Sequence, residues 1–260
     1  MDQTEARHRA RSIIAESRAL AVLTGAGVSA ESGVATFRGP GGLWRGRSAL
    51  DLATPEAFRR DPAEVWEFYD ARFTGLQGVA PNDGHRALAA LEATRPRFWL
   101  LTQNVDGLHR EAGSRNVIEL HGTIRLARCS GCSRETPIEA ALRGWIRGTV
   151  PVCEVCNAHL RPAVVWFGET LPPAALRKAD EAIRACDTIL VVGTSGFVQP
   201  AASFAFQVRD RGARVVEINP QETPISGIAD ISLRGPSGRE LPSLLGEQER
   251  ARLTPRTADD

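Results

Sequence analysis

Cys129-x-x-Cys132 and Cys153-x-x-Cys156 are the residues whose types and spacing specify a chemistry most narrowly. Two such knuckles with twenty residues between them supply four thiolates for a tetrahedral site, the donor set of a structural Zn2+. Four protein ligands leave no open position, so a zinc held there serves folding and not reaction. The fifth cysteine, Cys186, lies on an apolar helix face and reads as a core residue. Thiols used in this way point to metal in a reducing compartment rather than to disulfides, which makes the cytoplasm the expected location.

A second pattern follows the apolar run Ala19 to Leu23, which reads as a buried strand. Gly25, Ala26, Gly27 and, three residues on, Ala30 have the G-x-G-x-x-G/A spacing. There the first glycine turns the chain, the second lets a pyrophosphate approach the backbone, and the small third residue lets a helix pack on the sheet. The N–H groups of that helix start would face the phosphates. Gly33, Gly39, Pro40, Gly41 and Gly42 stop the helix early. No strand bearing a ribose-binding acid follows about 20 residues on, as the usual fingerprint requires. The motif therefore opens into a loop carrying Thr36, Phe37 and Arg38, which fits a cover over a cofactor. A Gly-rich surface connection fits the same spacing.

Thr102-Gln-Asn-Val-Asp-Gly-Leu-His109 comes directly after the apolar strand Arg97 to Thr102. Ligands of parallel sheets bind at the carboxyl ends of strands, which puts Gln103, Asn104 and Asp106 where polar side chains meet a ligand. Asn and Asp also favour plain turns. His121-Gly122 follows another short strand, Val117 to Leu120. An imidazole at a strand end, facing a cofactor loop, has the ordinary pKa for general-base work near neutral pH.

The elements that must position these groups follow from periodicity. Helices are expected over residues 5–17, from Asn82 to Leu91, from Leu176 to Cys186 and from Ala201 to Val208, with Gly212 as a stop. Further strands are expected at Asp187 to Val192, near-continuously apolar, at Ala213 to Ile218 and at Ile228 to Leu233. Alternating strands and helices give an α/β fold with a parallel, doubly wound, Rossmann-like sheet. Two stretches break the rhythm: residues 43–80, a small helical module, and residues 122–161, rich in Cys, Gly and Pro. The large domain is then 1–42, 81–121 and 162–246, and 247–260 is a polar tail expected to lack a fixed fold. A chain of 260 residues with net charge +1 has no basic excess for nucleic acid or a membrane surface. It has no signal-peptide h-region and no apolar run long enough to span a bilayer.

Taken together, these motifs resemble the sirtuins, NAD-dependent protein-lysine deacylases. The resemblance rests on Gly25-Ala-Gly-Val-Ser-Ala-Glu-Ser-Gly33, Thr36-Phe-Arg-Gly39, Thr102 to His109, His121-Gly122, the four cysteines, Val165-Trp-Phe-Gly-Glu169, Val192-Gly-Thr-Ser195 and Ile218-Asn219, in that order. It covers residues 22 to about 240. It implies a Rossmann-like domain with a small domain made of a helical module and a four-cysteine zinc ribbon, and a monomer. It implies NAD over Gly25 to Gly27, with Trp44, Gly193, Thr194, Ser195, Asn219, Gln221 and Ser237 also at the cofactor and the amide of nicotinamide near Asn104 and Asp106. The acyl oxygen would attack C1′ of the nicotinamide ribose, and His121 would act as base on the ribose hydroxyls. Free lysine, nicotinamide and O-acyl-ADP-ribose would result, with Phe37 shielding the reactive carbon. Val165, Phe167, Gly168 and Glu169 would receive the substrate backbone as an added strand.

Tyr69-Asp-Ala-Arg72 resembles the Y-x-x-R of the sirtuin subgroup that prefers succinyl- and malonyl-lysine. Positions i and i+3 share a helix face, so Arg72 would fork onto an acyl carboxylate while the Tyr69 hydroxyl donates to it. Ala53 matches a small residue that widens the acyl pocket in that subgroup, and Thr36 agrees with it. Acetyl removal is expected alongside. Ala35 stands where proline is frequent, and Gly196-Phe-Val-Gln-Pro200 departs from the common segment. The competing readings are ADP-ribosyl transfer from the same NAD and a non-catalytic, NAD-responsive zinc-ribbon binding protein.

Overall fold

A computed structural model describes residues 2–35 and 43–253. The chain begins with α1 (Gln3–Glu16), β1 (Leu20–Thr24) and two 3-10 turns (Ala26–Val28 and Ala30–Ser32). A short hairpin, β2 (Leu43–Trp44) and β3 (Arg47–Ser48), leads into α2 (Ala49–Leu52), α3 (Pro55–Arg60) and α4 (Pro62–Thr74). Then come α5 (Asp83–Ala93), β4 (Phe98–Thr102), α6 (Leu108–Glu111), β5 (Val117–Glu119), β6 (Gly122–Cys129), β7 (Glu135–Pro137), α7 (Ile138–Ala141) and β8 (Leu160–Val164). The chain continues through α8 (Pro173–Ala185), β9 (Thr188–Val192), α9 (Ser203–Asp210), β10 (Arg214–Ile218), β11 (Ile231–Leu233), α10 (Ser237–Ser243) and α11 (Glu247–Arg250).

Local sequence sets the helix starts. Asp2, Thr54, Asp61 and Asn82 each accept a backbone N–H with the side chain at an N-cap, and Pro55 and Pro62 take the first helical positions. Strands β1 and β9 are buried at every position because both faces are covered. Leu20 and Val22 pack with Ala10 and Ile14 of α1 and Leu88 of α5 on one face. Ala21 and Leu23 pack with Ile183 of α8 and Phe204 of α9 on the other.

The large sheet is parallel, in the order β11-β10-β9-β1-β4-β5. From β1 the chain builds outward through β4 and β5, then returns to β9 on the other side of β1. That reversal is the doubly wound switch point, outside which α/β proteins bind ligands.

A second core joins the helices of 49–74 to the antiparallel sheet β7-β6-β8. The indole N–H of Trp66 on α4 donates to the carbonyl of Leu160 on β8 at 2.8 Å. Residues 247–253 differ from expectation: α11 docks on α5. Glu249 accepts from Thr94 and Arg95, each at 3.0 Å, and Leu253 packs on the core. Ala251 and Leu253, two apart after four charged or polar residues, give no helical period, which is why this turn of helix is invisible in the sequence.

Candidate active site

The backbones at the switch point interlock. Gly25 N–H donates to Val192 O at 3.0 Å and Gly27 N–H to Gly193 O at 2.8 Å. A Cβ on Gly27 would lie 2.7 Å from the Gly193 Cα, and Gly193 has φ +60 with its own Cβ position 2.6 Å from the Val28 nitrogen. All three glycines are thus required by loop-to-loop contact, before any ligand is considered. The expected helix after the motif is instead two 3-10 turns closed by Gly33 at φ +86, and Ala30 is exposed rather than packed on the sheet. Among the described residues, the N–H groups of Thr194 and Ser195 meet no acceptor of the chain. With the half-buried backbone at Ala26, they leave donors at the crevice mouth, which fits the phosphates of a dinucleotide. Thr36, Phe37 and Arg38 lie outside the described residues.

Behind the glycines sits a buried polar cluster. Asn104 donates through Nδ2 to Gly25 O at 3.2 Å and to Ser29 Oγ at 3.0 Å. Ser29 Oγ donates to Asp106 Oδ2 at 2.8 Å, and Asp106 Oδ1 accepts the Leu108 N–H at 2.9 Å. His85 accepts the Asn82 N–H at Nδ1, 3.3 Å, so its proton belongs on Nε2, 3.3 Å from Ser29 Oγ. His109 packs on His85 with ring centroids 4.8 Å apart and bonds Thr24 Oγ1 through Nε2 at 2.9 Å, and its buried Nδ1 has no partner among the described residues.

Burial pushes His85 down to about 4, with Asp106 opposing, and His109 down to about 3, with His85 adding to the effect. Between those values and the ordinary 6.5 the unfolded chain binds protons that the native state refuses. Stability should therefore be complete above pH 6.5 and fall as pH drops below it, by up to about 1.4 kcal/mol per pH unit per histidine. Urea unfolding from about pH 7.5 to about pH 5, compared with His109→Asn, measures this; acid also releases thiolate-bound metal, so the difference between the two proteins is the readout. An identical pH slope in both would sink the assignment.

His121 lies between β5 and β6. Its carbonyl accepts the Val165 N–H at 2.9 Å, and its Nδ1 is 3.0 Å from Gln103 O. A carbonyl only accepts, so Nδ1 carries the proton and Nε2 is left as an acceptor. Burial lowers the pKa from 6.5, against the Gln103 carbonyl, and the ring is neutral at neutral pH. Gly122 follows at φ +72, and a Cβ there would overlap the Ala163 carbonyl oxygen; only glycine sets the ring in this place.

The remaining predicted cofactor residues divide in two. Gln103 Nε2 donates to Thr194 Oγ1 at 2.9 Å and Asn219 Nδ2 to Thr194 O at 2.8 Å, while Gln221 N–H donates to Asn219 Oδ1 at 3.1 Å. These, with Gly193 and Ser195, converge at the crevice. Ser237 is buried, and its hydroxyl donates to Glu31 at 3.2 Å. Trp44 packs edge-on against Phe68 of α4, 5.8 Å between centroids, under the Arg45 guanidinium.

Tyr69 and Arg72 are on α4, the first buried and the second half-buried. Burial penalises the Arg72 charge, and Tyr69 and Asp106 favour it. Ala53 is buried in the same core and its carbonyl accepts the Phe167 N–H at 2.9 Å. Residues 165–169 are not an extended strand. Trp166 and Glu169 close a turn: Glu169 N–H donates to Trp166 O, and Glu169 Oε2 accepts the Trp166 N–H at 2.9 Å. Arg161 forks onto Glu169 at 2.7 and 2.8 Å. With the Val165 and Phe167 N–H groups also spent, an added strand has the Gly168 N–H and the carbonyls of Val165, Phe167 and Gly168 to pair with, and the Glu169 carboxylate already holds Arg161 and the Trp166 backbone N–H.

In the ribbon, the Sγ atoms of Cys129, Cys132, Cys153 and Cys156 lie within 4.8 Å of one another, with pairs at 3.3 and 3.7 Å. Sulfurs about 2.3 Å from a central ion are about 3.8 Å apart in a tetrahedron, so the set fits one zinc. The N–H groups of Gly131 and Cys132 point at Cys129 Sγ at 3.3 and 3.4 Å and favour its thiolate.

Comparison with known proteins gives these groups a setting. Residues 25–200 match the model of the Sir2 family. The chain belongs to the Sir2 family. An NAD-dependent protein deacylase from Pyrococcus furiosus is 50% identical, over 92% of this chain and 96% of that protein. NAD-dependent protein deacylase 1 from Archaeoglobus fulgidus is 48% identical, over 92% and 96%. Among solved structures, a Sir2 homologue in complex with NAD has 46% identity and a TM-score of 0.87, covering 94% of each chain. A Sir2–p53 peptide–NAD+ complex has 31% identity and a TM-score of 0.84, covering 98% of this chain and all of that one.

In this sirtuin, sequence reading missed Ser29 and His85. Ser29 stood inside the glycine motif, and His85 three residues beyond a cap asparagine. For His85 the available signal was a polar residue at a position that the spacing of Leu88 and Leu91 turns inward; Ser29, between two 3-10 turns, had none.

Proposed function

We propose that this chain is an NAD-dependent protein-lysine deacylase that removes succinyl and malonyl groups, and acetyl groups as well. The observation that carries the reading is His121, a neutral imidazole whose Nδ1–H is spent on Gln103 O and whose Nε2 is left as an acceptor beside the Asn104–Asp106 segment. When bound, NAD supplies an electrophilic ribose carbon and a leaving group. Backbone donors at Thr194 and Ser195 would bind its phosphates, and Asn104, anchored by Ser29 and Gly25, would orient it. His121 Nε2 would take a proton from a ribose hydroxyl. Cys129, Cys132, Cys153 and Cys156 would hold the structural zinc.

The finer choice of acyl group rests on Tyr69 and Arg72. A guanidinium whose charge is disfavoured by burial gains from an incoming carboxylate, which an acetyl group lacks. Arg72→Met should lower kcat/KM for a succinyl-lysine peptide about 10- to 100-fold, the worth of a charged hydrogen bond, and change the acetyl value only a few-fold. Mass spectrometry of matched peptides with NAD reads both. Equal losses with the two peptides would make Arg72 a structural residue and remove the acidic-acyl assignment.

A further inference from the structure

We infer that Trp166 is a positioning residue for acyl selectivity: its indole N–H fixes the direction of the Tyr69 hydroxyl so that the phenol proton points to the acyl group. The inference rests on the acidic-acyl reading above and adds a residue to it.

Trp166 Nε1 is 3.0 Å from the Tyr69 hydroxyl oxygen. An indole N–H only donates, so the direction of this bond is not a choice: Tyr69 accepts. The hydroxyl then keeps one proton to give. Among the described residues no acceptor of the chain meets that proton, although Tyr69 is 2% and Trp166 3% exposed. A buried hydroxyl with its donor unspent costs stability unless a partner arrives. The Arg72 charge is felt at Tyr69, so the acceptor that suits the phenol proton in that field is an anion with acceptor oxygens, the terminal carboxylate of a succinyl or malonyl group. The methyl of an acetyl group offers neither.

The indole is built to hold its aim. Phe58 lies against one side with ring centroids 5.1 Å apart, and the Arg161 guanidinium sits 3.5 Å over the ring. Arg161 is itself fixed by the fork onto Glu169, whose Oε2 also takes the backbone N–H of Trp166. One clamp thus orders both the turn 166–169 and the Tyr69 proton. The Arg161–Glu169 pair, with no role on the acyl chain itself, acts through Trp166.

The test uses the zinc-loaded full chain with NAD and two peptides of one sequence, succinyl- and acetyl-lysine. Trp166→Phe keeps a ring and deletes the N–H. The succinyl-to-acetyl ratio of kcat/KM is expected to fall about 3- to 10-fold, the worth of one neutral hydrogen bond, through the succinyl KM rather than kcat. In a Tyr69→Phe background the same substitution should change the ratio no further. If Trp166→Phe does not fold, benzothienylalanine at 166, isosteric but without the N–H, replaces it. A ratio that is unchanged, or that falls equally with Tyr69 absent, overturns the inference. Arg72→Met run alongside separates the two failures: if it leaves the ratio untouched, the acidic-acyl reading falls, and if it collapses the ratio while both position-166 variants do not, only the role of Trp166 falls.

Discussion

Replacing His121 with alanine is expected to lower NAD-dependent deacylation by about 10²- to 10⁴-fold, the usual contribution of a positioned base. NAD should still bind within a few-fold. The ring donates one bond, to Gln103 O, and the groups at the crevice are held by other contacts: Gly27 to Gly193, Gln103 and Asn219 to Thr194, Asn104 to Gly25. The backbone at 121 is fixed independently, by Gly122 at φ +72 and by the bond from Val165. Loss of the imidazole therefore removes Nε2 without moving the loops. Calorimetric titration with NAD and mass spectrometry of an acyl-lysine peptide check the two halves. Activity retained within tenfold would remove His121 as base. Lost deacylation with continued transfer of ADP-ribose to protein, by wild type as well as variant, would favour the transferase reading instead.

What the sequence disclosed, and what it hid, follows from the range of the contacts. β1 and β9 are five-residue strands, each with four apolar residues and one threonine and each followed by a glycine, so their burial is written locally. The C-x-x-C pairs are legible because zinc geometry demands short spacing inside each knuckle. The Ser29 hub was not, since its partners come from positions 85, 104 and 106, and nothing near Ser29 announces them. The glycine motif was read correctly as a strand end and given an incomplete cause: Gly27 first serves the approach of Gly193, far along the chain. The resemblance places Glu169 and Ser237 at ligands, and each also has a protein partner, Arg161 and Glu31, that nothing nearby in the sequence announces. Polar residues in a motif announce a hydrogen bond and not its partner. Trp166 passed unmarked for the converse reason, an aromatic in an apolar segment whose one polar atom meets Tyr69 across 97 positions.

Stripping zinc with a chelator, or substituting Cys153→Ser, is expected to have the other large effect, and a structural one. Metal binding supplies about 10–16 kcal/mol of apparent folding free energy in small zinc modules, as much as a whole domain has to spare. Here Cys129 and Cys153 are themselves members of the core that contains Trp66, Tyr69 and Trp166, and β6 carries the chain from Gly122 directly to Cys129. Loss of the ion leaves mutually repelling thiolates in contact or forces protonation of four sulfurs within 4.8 Å. The ribbon should open, and the opening should travel along the Trp66–Leu160 bond to the helices of 49–74 while β1, β4 and β9 keep their two covered faces. Hydrogen exchange resolved by peptide would then show protection lost in 49–74 and 122–166 and kept in the large sheet, with recovery on adding back zinc. Unchanged protection of the ribbon in metal-free protein would contradict this. Deacylation should vanish in parallel, because the Val165–His121 bond and the Trp166–Tyr69 bond both depend on the strand that follows the ribbon, although none of the four sulfurs has a coordination position left with which to touch a substrate.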